Sequence, residues 1–302
     1  MRASLSADAS VSFESLTVGV VGLGLMGGSL ALGLAGKCRR RIGLDSDPDA
    51  DRSALEMGVV DEVALNLTDL AAKADFIILA VPVRTILAIL KELADIRFPD
   101  DRVRIVLDIG STKSDIVKAM DRLGAGFDPI GGHPICGREV QGVRFADAAL
   151  FRNAPFVLTP SKRTSSRARA LAHTLVQMLG ALDLEMEPEE HDELVASTSH
   201  LPHLVAVALA QTAGRLPSAA ALVGPGFRDT TRLAGSNIEM LTDILLTNRE
   251  HVLQALEEYI ARLEALAQRL REGDEARLKV LLAEGRRARQ EMLDSRKAKG
   301  GG

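Results

Sequence analysis

From Thr17 to Thr159 the chain alternates short apolar runs with amphipathic stretches, and this alternation constrains the fold more than any other feature. The runs are Thr17–Gly22, Arg41–Asp45, Asp75–Val81, Arg104–Asp108, Phe127–Ile130 and Phe156–Thr159, with Ala181–Glu187 as the last. Between them lie segments such as Val83–Ile96, whose apolar residues recur at helical spacing. Short β-branched runs buried on both faces and separated by helices imply a doubly wound, mostly parallel α/β sheet. The pattern stops at Pro188. Beyond it only helical periodicity remains, over Pro188–Ala213, Ile238–Leu246, Glu250–Glu272 and Asp274–Leu293, with Ala221–Asp229 read as a turn-rich loop. The expected organisation is an N-terminal extension (1–15), an α/β domain (16–187), an all-α domain (188–295) and a tail (296–302).

Composition narrows the function classes. A chain of 302 residues with net charge −4, no Trp and one Tyr offers neither a phosphate-backbone footprint nor aromatic stacking platforms, which argues against nucleic-acid binding. No apolar run reaches the length of a membrane span, and the first fourteen residues lack the basic-then-apolar layout of a signal peptide. Cys38 and Cys136 form no CxxC and no ligand pattern, so free thiols in a reducing cytoplasm are expected.

The first apolar run ends in Gly22-Leu23-Gly24-Leu25-Met26-Gly27, a G-x-G-x-x-G that follows a predicted strand and opens a helix. In that setting Gly22 allows a tight turn, Gly24 lets the backbone approach a pyrophosphate, and Gly27 permits close helix–strand packing. This is the fingerprint of a Rossmann-type dinucleotide site, with the pyrophosphate at the positive end of the helix. Asp45 ends the second run eighteen residues beyond Gly27, where a carboxylate accepts hydrogen bonds from ribose hydroxyls. Ser46 and Asp47 follow and no Arg sits just after the strand, so NAD is expected over NADP. The cofactor set is completed by Leu25 and Met26 of the fingerprint and by Val81 and Pro82 at the end of the Asp75–Val81 run.

Three further segments carry polar residues that a plain fold does not need. They are Asp108–Lys113 (DIGSTK), Gly131–Gly137 (GGHPICG) with Glu139 just beyond, and Ser199–His203 (SHLPH) joined by Gly226–Arg232 (GFRDTTR). The first two follow strands, and strand C-terminal ends line the ligand crevice of an open parallel sheet. With these strings the sequence resembles the prephenate/arogenate dehydrogenase family: GLGLMGGS, DIGSTK, GGHPICGRE, HDELVASTSHLPH and GFRDTTRLAGSN stand in register across most of the chain.

The resemblance implies a Rossmann domain followed by a helical dimerisation domain, a homodimer, NAD as cofactor and a small-molecule substrate. It implies NAD-dependent oxidative decarboxylation of prephenate to 4-hydroxyphenylpyruvate and CO2, in tyrosine biosynthesis. His133 matches the catalytic base, and a neutral imidazole suits a hydroxyl proton near pH 7. Ser111 matches the serine that hydrogen-bonds this histidine and the substrate hydroxyl. Arg232 matches the arginine on a substrate carboxylate, where a bidentate fork fits. His203, together with His200, matches histidines that contact substrate, and Glu139 and Asp229 match acids that form an ionic gate with arginine.

Other readings stand beside these. Arogenate, or both substrates, is the nearest alternative; neutral Ser236 and Asn237 favour prephenate, with Glu239 close by. A 3-hydroxyacid dehydrogenase would need a catalytic Lys after a glycine-rich turn, and no such string follows residue 188. A non-catalytic NAD sensor would not need the Ser, His and Arg cluster. His200 and His203 lack the HExxH spacing and a third ligand, so no metal is expected. Lys113 reads either as a cofactor or substrate contact or, more commonly, as a solvated first-turn residue. His191 reads as a helix cap, His173 and His251 as surface, Cys136 as inert, and Pro202 as a kink or fresh helix start. The apolar stripe Leu253, Leu256, Ile260, Leu263, Leu266 and Leu270 serves both internal packing and a dimer face. The sequence shows no appended regulatory domain and no chorismate mutase segment, so tyrosine inhibition, if present, is expected at the active site.

Overall fold

The computed structural model describes residues 12–298. Its packing divides the chain into two units, with breaks at Gly110/Ser111, Asp115/Ile116 and Met186/Glu187. The short segment Ser111–Asp115 therefore belongs with the helical unit, although it follows a strand of the sheet. The extension and tail expected at residues 1–15 and 296–302 lie mostly outside the described residues. Within reach, Phe13–Ser15 forms a 3-10 turn that buries Phe13 against Phe76, ring centroids 5.5 Å apart.

The first unit is an eight-stranded sheet in the order β3-β2-β1-β4-β5-β6-β7-β8. The strands are β1 (Thr17–Val21), β2 (Arg40–Leu44), β3 (Glu62–Val63), β4 (Phe76–Leu79), β5 (Arg104–Asp108), β6 (Phe127–Pro134), β7 (Pro155–Pro160) and β8 (Leu182–Glu185). Helices α1 (Leu25–Gly33), α2 (Pro48–Glu56), α3 (Leu67–Lys73), α4 (Val83–Asp95), α5 (Ser114–Met120) and α6 (Ser166–Met178) alternate with them. Side chains of successive strand residues point to opposite faces. Phe76 and Ile78, Ile105 and Leu107 therefore join one core cluster with α1 and α6, while Ile77, Leu79 and Val106 join a second with α3 and α4. That two-faced burial is why the strands read as continuous apolar runs.

Two features of the sheet differ from the sequence reading. The two-residue β3 was not expected, since a pair of residues carries no strand-length pattern. And β6 does not end at Ile130: it continues to Pro134, pairing antiparallel with β7 through Gly131↔Thr159, Gly132↔Leu158 and His133↔Val157. The Gly-Gly pair looks like a strand breaker. Here it is required because a Cβ on Gly131 would lie 2.2 Å from Thr159 Oγ1, and one on Gly132 would lie 2.9 Å from the Asp108 carbonyl oxygen. Strand β7 runs antiparallel because only a 3-10 turn, Val143–Phe145, interrupts the connection, with no crossover helix to return the chain.

The second unit is helical: α7 (Pro188–Val195), α8 (Leu201–Gly214), α9 (Pro225–Thr231), α10 (Ile238–Thr247), α11 (Arg249–Glu272) and α12 (Glu275–Ala298). The helical segment expected over Pro188–Ala213, with a kink or fresh start at Pro202, is interrupted by a π turn, Ala196–His200. Pro202 has no N–H to continue the ladder, so α8 starts afresh with the proline in its first turn. The expected loop Ala221–Asp229 is instead partly helical. Pro225 opens α9 at the first position, where a missing N–H costs nothing. The buried core of this unit is small, Ala196, Val252 and Ala255 with Leu201, Leu204 and Leu245 against them. Along α11 the heptad-spaced Leu253, Ile260, Leu263 and Leu270 remain 45–66% exposed. Among the described residues no helix is long and apolar enough to cross a membrane.

Candidate active site

In the sheet unit the glycine loop separates into positions the protein itself requires and one it does not. Gly22 has φ +91°, and a Cβ there would lie 2.5 Å from the Ala80 carbonyl oxygen and 2.6 Å from Val81 Cγ1. A Cβ on Gly27 would lie 1.9 Å from the Gly22 carbonyl oxygen, so α1 can pack on β1 only with glycine. Gly24 is different: its backbone is extended, and a Cβ would meet nothing within 4 Å. Neither strain nor crowding within the chain demands glycine there, which fits a position kept bare for a ligand's close approach. No side chain caps α1, which leaves the first-turn N–H groups of Leu25 and Met26 for an anion. The residues present therefore fit a dinucleotide pyrophosphate.

Asp45 has a second task that sequence spacing did not reveal. Its Oδ2 accepts the Leu23 N–H at 2.7 Å and its Oδ1 accepts the Asp47 N–H at 2.9 Å, so the carboxylate ties the glycine loop to the end of β2. Each oxygen keeps a further lone pair for a ribose hydroxyl. Asp51 accepts the Asp45 N–H at 2.8 Å. Burial, and then the neighbouring Asp45 and Asp47 charges, push the Asp51 carboxyl up. A 2′-phosphate would enter this group of acids without a cation beside it on the strand end. Val81 lies against Gly22, and Pro82 caps α4.

Further along the sheet Asp108, fully buried at the end of β5, accepts the Gly110 N–H at 2.8 Å and the Gly132 N–H at 3.3 Å. It was read only as part of a string, yet it links the two loops that carry the polar residues. β5 pairs with β6 only as far as Leu107↔Ile130, so His133 stands on the part of β6 that extends past its parallel neighbour. The Ile135 N–H donates to the Pro155 carbonyl at 2.7 Å, holding the strand just beyond His133. His133 is therefore a strand residue, half-buried, on a backbone held by hydrogen bonds. Glu139 is exposed in the following irregular segment. Burial pushes the Cys136 thiol up to about 11, which keeps it protonated and unreactive.

The helical unit brings its candidates together around two points. His203 of α8 faces the 232–236 turn: its Nδ1 lies 3.3 Å from both the Leu233 carbonyl oxygen and Ser236 Oγ. SHLPH and the segment after GFRDTT are thus neighbours. Arg232 opens the 3-10 turn Arg232–Gly235, and Arg232 and Asp229 are exposed.

The second point is buried. Asn248 Nδ2 donates to the Asp192 carbonyl at 2.7 Å and lies 3.2 Å from His200 Nδ1, while its Oδ1 lies 3.0 Å from His251 Nδ1. With both amide hydrogens directed at acceptors, His200 Nδ1 accepts and its proton sits on Nε2, a buried atom with no partner among the described residues. Burial pushes the His200 ring down to about 4, so it is neutral near pH 7. His191 and Lys113 are both buried. His191 is buried in the first half of α7, its Nδ1 2.8 Å from Asp192 Oδ1. Lys113 is fully buried rather than solvated. His173 bridges Asp183 and Glu185 at 2.7 and 3.2 Å.

The His200 environment has a measurable consequence. A ring pushed down in the folded chain binds fewer protons than in the unfolded one, so stability is intact above the ordinary histidine range and is lost as pH falls toward 4. His200→Asn should therefore flatten the fall of Tm between pH 6.5 and 4.5 relative to the parent chain. Parallel Tm curves for the two proteins would show that another group titrates.

Comparison with known proteins bears on both units. Residues 30–182 match the family described as prephenate dehydrogenase, nucleotide-binding domain, and residues 187–284 match prephenate dehydrogenase, dimerization domain. Prephenate dehydrogenase of Bacillus subtilis (strain 168) is 35% identical over 83% of this chain and 69% of its own. The cyclohexadienyl dehydrogenase of Zymomonas mobilis is 32% identical over 82% of this chain and 86% of its own. The crystal structure of prephenate dehydrogenase from A. aeolicus in complex with hydroxyphenyl propionate and NAD+ superposes with a TM-score of 0.83 at 34% identity, covering 91% of this chain and 98% of that one. Synechocystis arogenate dehydrogenase gives 0.78 at 34% identity, covering 91% and 99%.

Proposed function

Because the chain belongs to the prephenate dehydrogenase family, we propose that it catalyses the NAD-dependent oxidative decarboxylation of prephenate to 4-hydroxyphenylpyruvate and CO2, in tyrosine biosynthesis. The observation that carries this reading is the 35% identity to a prephenate dehydrogenase over 83% of the chain.

The bound cofactor supplies the hydride acceptor. Gly22, Gly24, Leu25, Met26 and Gly27 would hold its pyrophosphate, Asp45 its ribose, and Val81 and Pro82 would complete the wall. His133 takes the proton from the substrate's 4-hydroxyl as C4 gives up its hydride, and Ser111 hydrogen-bonds that hydroxyl. Arg232 pairs with a substrate carboxylate. His203 contacts the substrate from the helical unit. His200 does so as a neutral ring whose buried Nε2–H has no acceptor within the described residues. Once the ring carbonyl forms, loss of the ring carboxylate as CO2 leaves its electron pair to aromatise the ring. Glu139 and Asp229 form an ionic gate with arginine. The protein acts as a homodimer through the helical unit, which fits the exposed heptad face of α11. It works in the cytoplasm, where unpaired Cys38 and Cys136 are stable as thiols.

The test follows NADH absorbance with purified protein, NAD or NADP, and prephenate or arogenate. The expected result is turnover with prephenate and a lower KM for NAD than for NADP. A kcat/KM at least about tenfold higher for arogenate would move the substrate to the amino analogue, a difference of about 1.4 kcal/mol in transition-state binding. No turnover with either substrate, despite NAD binding, would overturn the enzymatic reading.

A further inference from the structure

The loop that carries Ser111 leaves the sheet at β5, yet its anchors lie in the helical unit. The Asp192 carboxylate accepts the Lys113 N–H on Oδ1 and the Ser114 N–H on Oδ2, each at 2.8 Å. It is 1% exposed. Burial alone would push this carboxyl up, but hydrogen bonds from His191 and from the Ser114 and Lys113 backbone outweigh it and hold it below the usual carboxylate range. A charged acceptor on two successive N–H groups fixes two peptide planes at once. The Thr112 hydroxyl meets the Thr247 hydroxyl at 3.0 Å. Asp192 is itself held, since Asn248 Nδ2 donates to its carbonyl at 2.7 Å. Ser111 is thus followed by three residues, Thr112, Lys113 and Ser114, each tied to the helical unit.

We infer that Asp192 is a positioning residue for the reaction, holding the Ser111 hydroxyl in register through the backbone of the next two peptides, with Thr247 as a second anchor. The start of α5 leaves its first N–H groups without intrahelical acceptors, and Asp192 accepts two successive ones. The double acceptance, the Thr–Thr bond and the support from Asn248 set the geometry of the whole loop. The inference rests on Ser111 being a catalytic residue, as proposed above.

The test is a double-mutant cycle with Ser111→Ala, Asp192→Asn and the pair, reading kcat and the KM for NAD. Asp192→Asn keeps shape but presents an amide N–H where a backbone N–H must be accepted. The expected result is a kcat lowered about tenfold or more, as misplacement of a reacting group produces, with the KM for NAD unchanged. The double variant should be no slower than the slower single variant. Near-normal kcat in Asp192→Asn, or losses that multiply in the pair, would overturn the inference and leave Asp192 as a structural cap. A wild-type kcat in Ser111→Ala would overturn the serine's assignment and this inference with it. If Asp192→Asn gives no cooperative melt, Thr247→Val replaces it in the cycle and is read by the same criteria.

Discussion

His133→Asn is expected to lower kcat by ~10²–10⁴, the range lost when a positioned acid–base is removed, with the Kd for NAD within about twofold of the parent. The physical case rests on how the residue is held. His133 lies on β6, hydrogen-bonded in register with Val157 of β7, and the flanking Gly132 N–H is accepted by buried Asp108. The backbone under the ring is held on both sides, so replacing the side chain is expected to leave the strand in place. Asparagine retains polar bulk but cannot accept a proton near pH 7. The check is steady-state kinetics with prephenate beside calorimetric titration of NAD. A variant with near-normal kcat would remove His133 from the mechanism. A variant that also lost NAD would point to a role in the fold of the crevice.

The second large effect is a contrast between two glycines of one loop. Gly27→Ala forces a methyl to 1.9 Å from the Gly22 carbonyl oxygen, a backbone atom that cannot rotate away. Overpacking of that kind costs ~1–3 kcal/mol and more when backbone must move. In a domain of this size that lowers Tm by ~2–4 °C per kcal/mol. Gly24→Ala meets no atom of the chain within 4 Å, so Tm should be unchanged. The KM for NAD should nonetheless rise about tenfold or more, equivalent to ~1.4 kcal/mol, because the methyl occupies the approach of the pyrophosphate. Thermal melts without cofactor and KM measurements separate the two outcomes. A Gly24→Ala protein with normal NAD affinity would show that the pyrophosphate does not approach there. A Gly27→Ala protein with normal stability would show that α1 can shift on β1.

How much of this was legible in the sequence depends on the range of the interaction concerned. The β1–turn–α1 unit was readable because the three glycines, the preceding apolar run and the following helix are neighbours in the chain, and each has a local steric reason. The place of Asp45 directly after β2 was legible for the same reason, a strand end at a predictable distance. Its hydrogen bond to the Leu23 N–H was not, because that contact joins two elements brought together only by the parallel pairing of β1 and β2. Lys113 shows the limit of local reasoning. A lysine in a first turn is usually solvated, yet this one is fully buried, which no local pattern signals. Asp192 stood in a string that was quoted, but its partners lie nearly eighty residues away in sequence.

What the sequence determined by itself was therefore everything that rests on period and punctuation. Two-sided apolar runs required a covered, mostly parallel sheet, Pro188 marked the change to helix, and the glycine spacing specified a dinucleotide turn. The tertiary structure alone decided the continuation of β6 through two glycines, since antiparallel β7 supplied the missing partner. The break before Pro202 was legible as a kink or fresh start, while its form as a π turn over Ala196–His200 appears only in the fold. And the tertiary structure decided that the Ser111 loop is anchored in the helical unit. A buried carboxylate accepts from whichever backbone N–H groups the fold presents, and sequence spacing holds no record of contacts made across the fold.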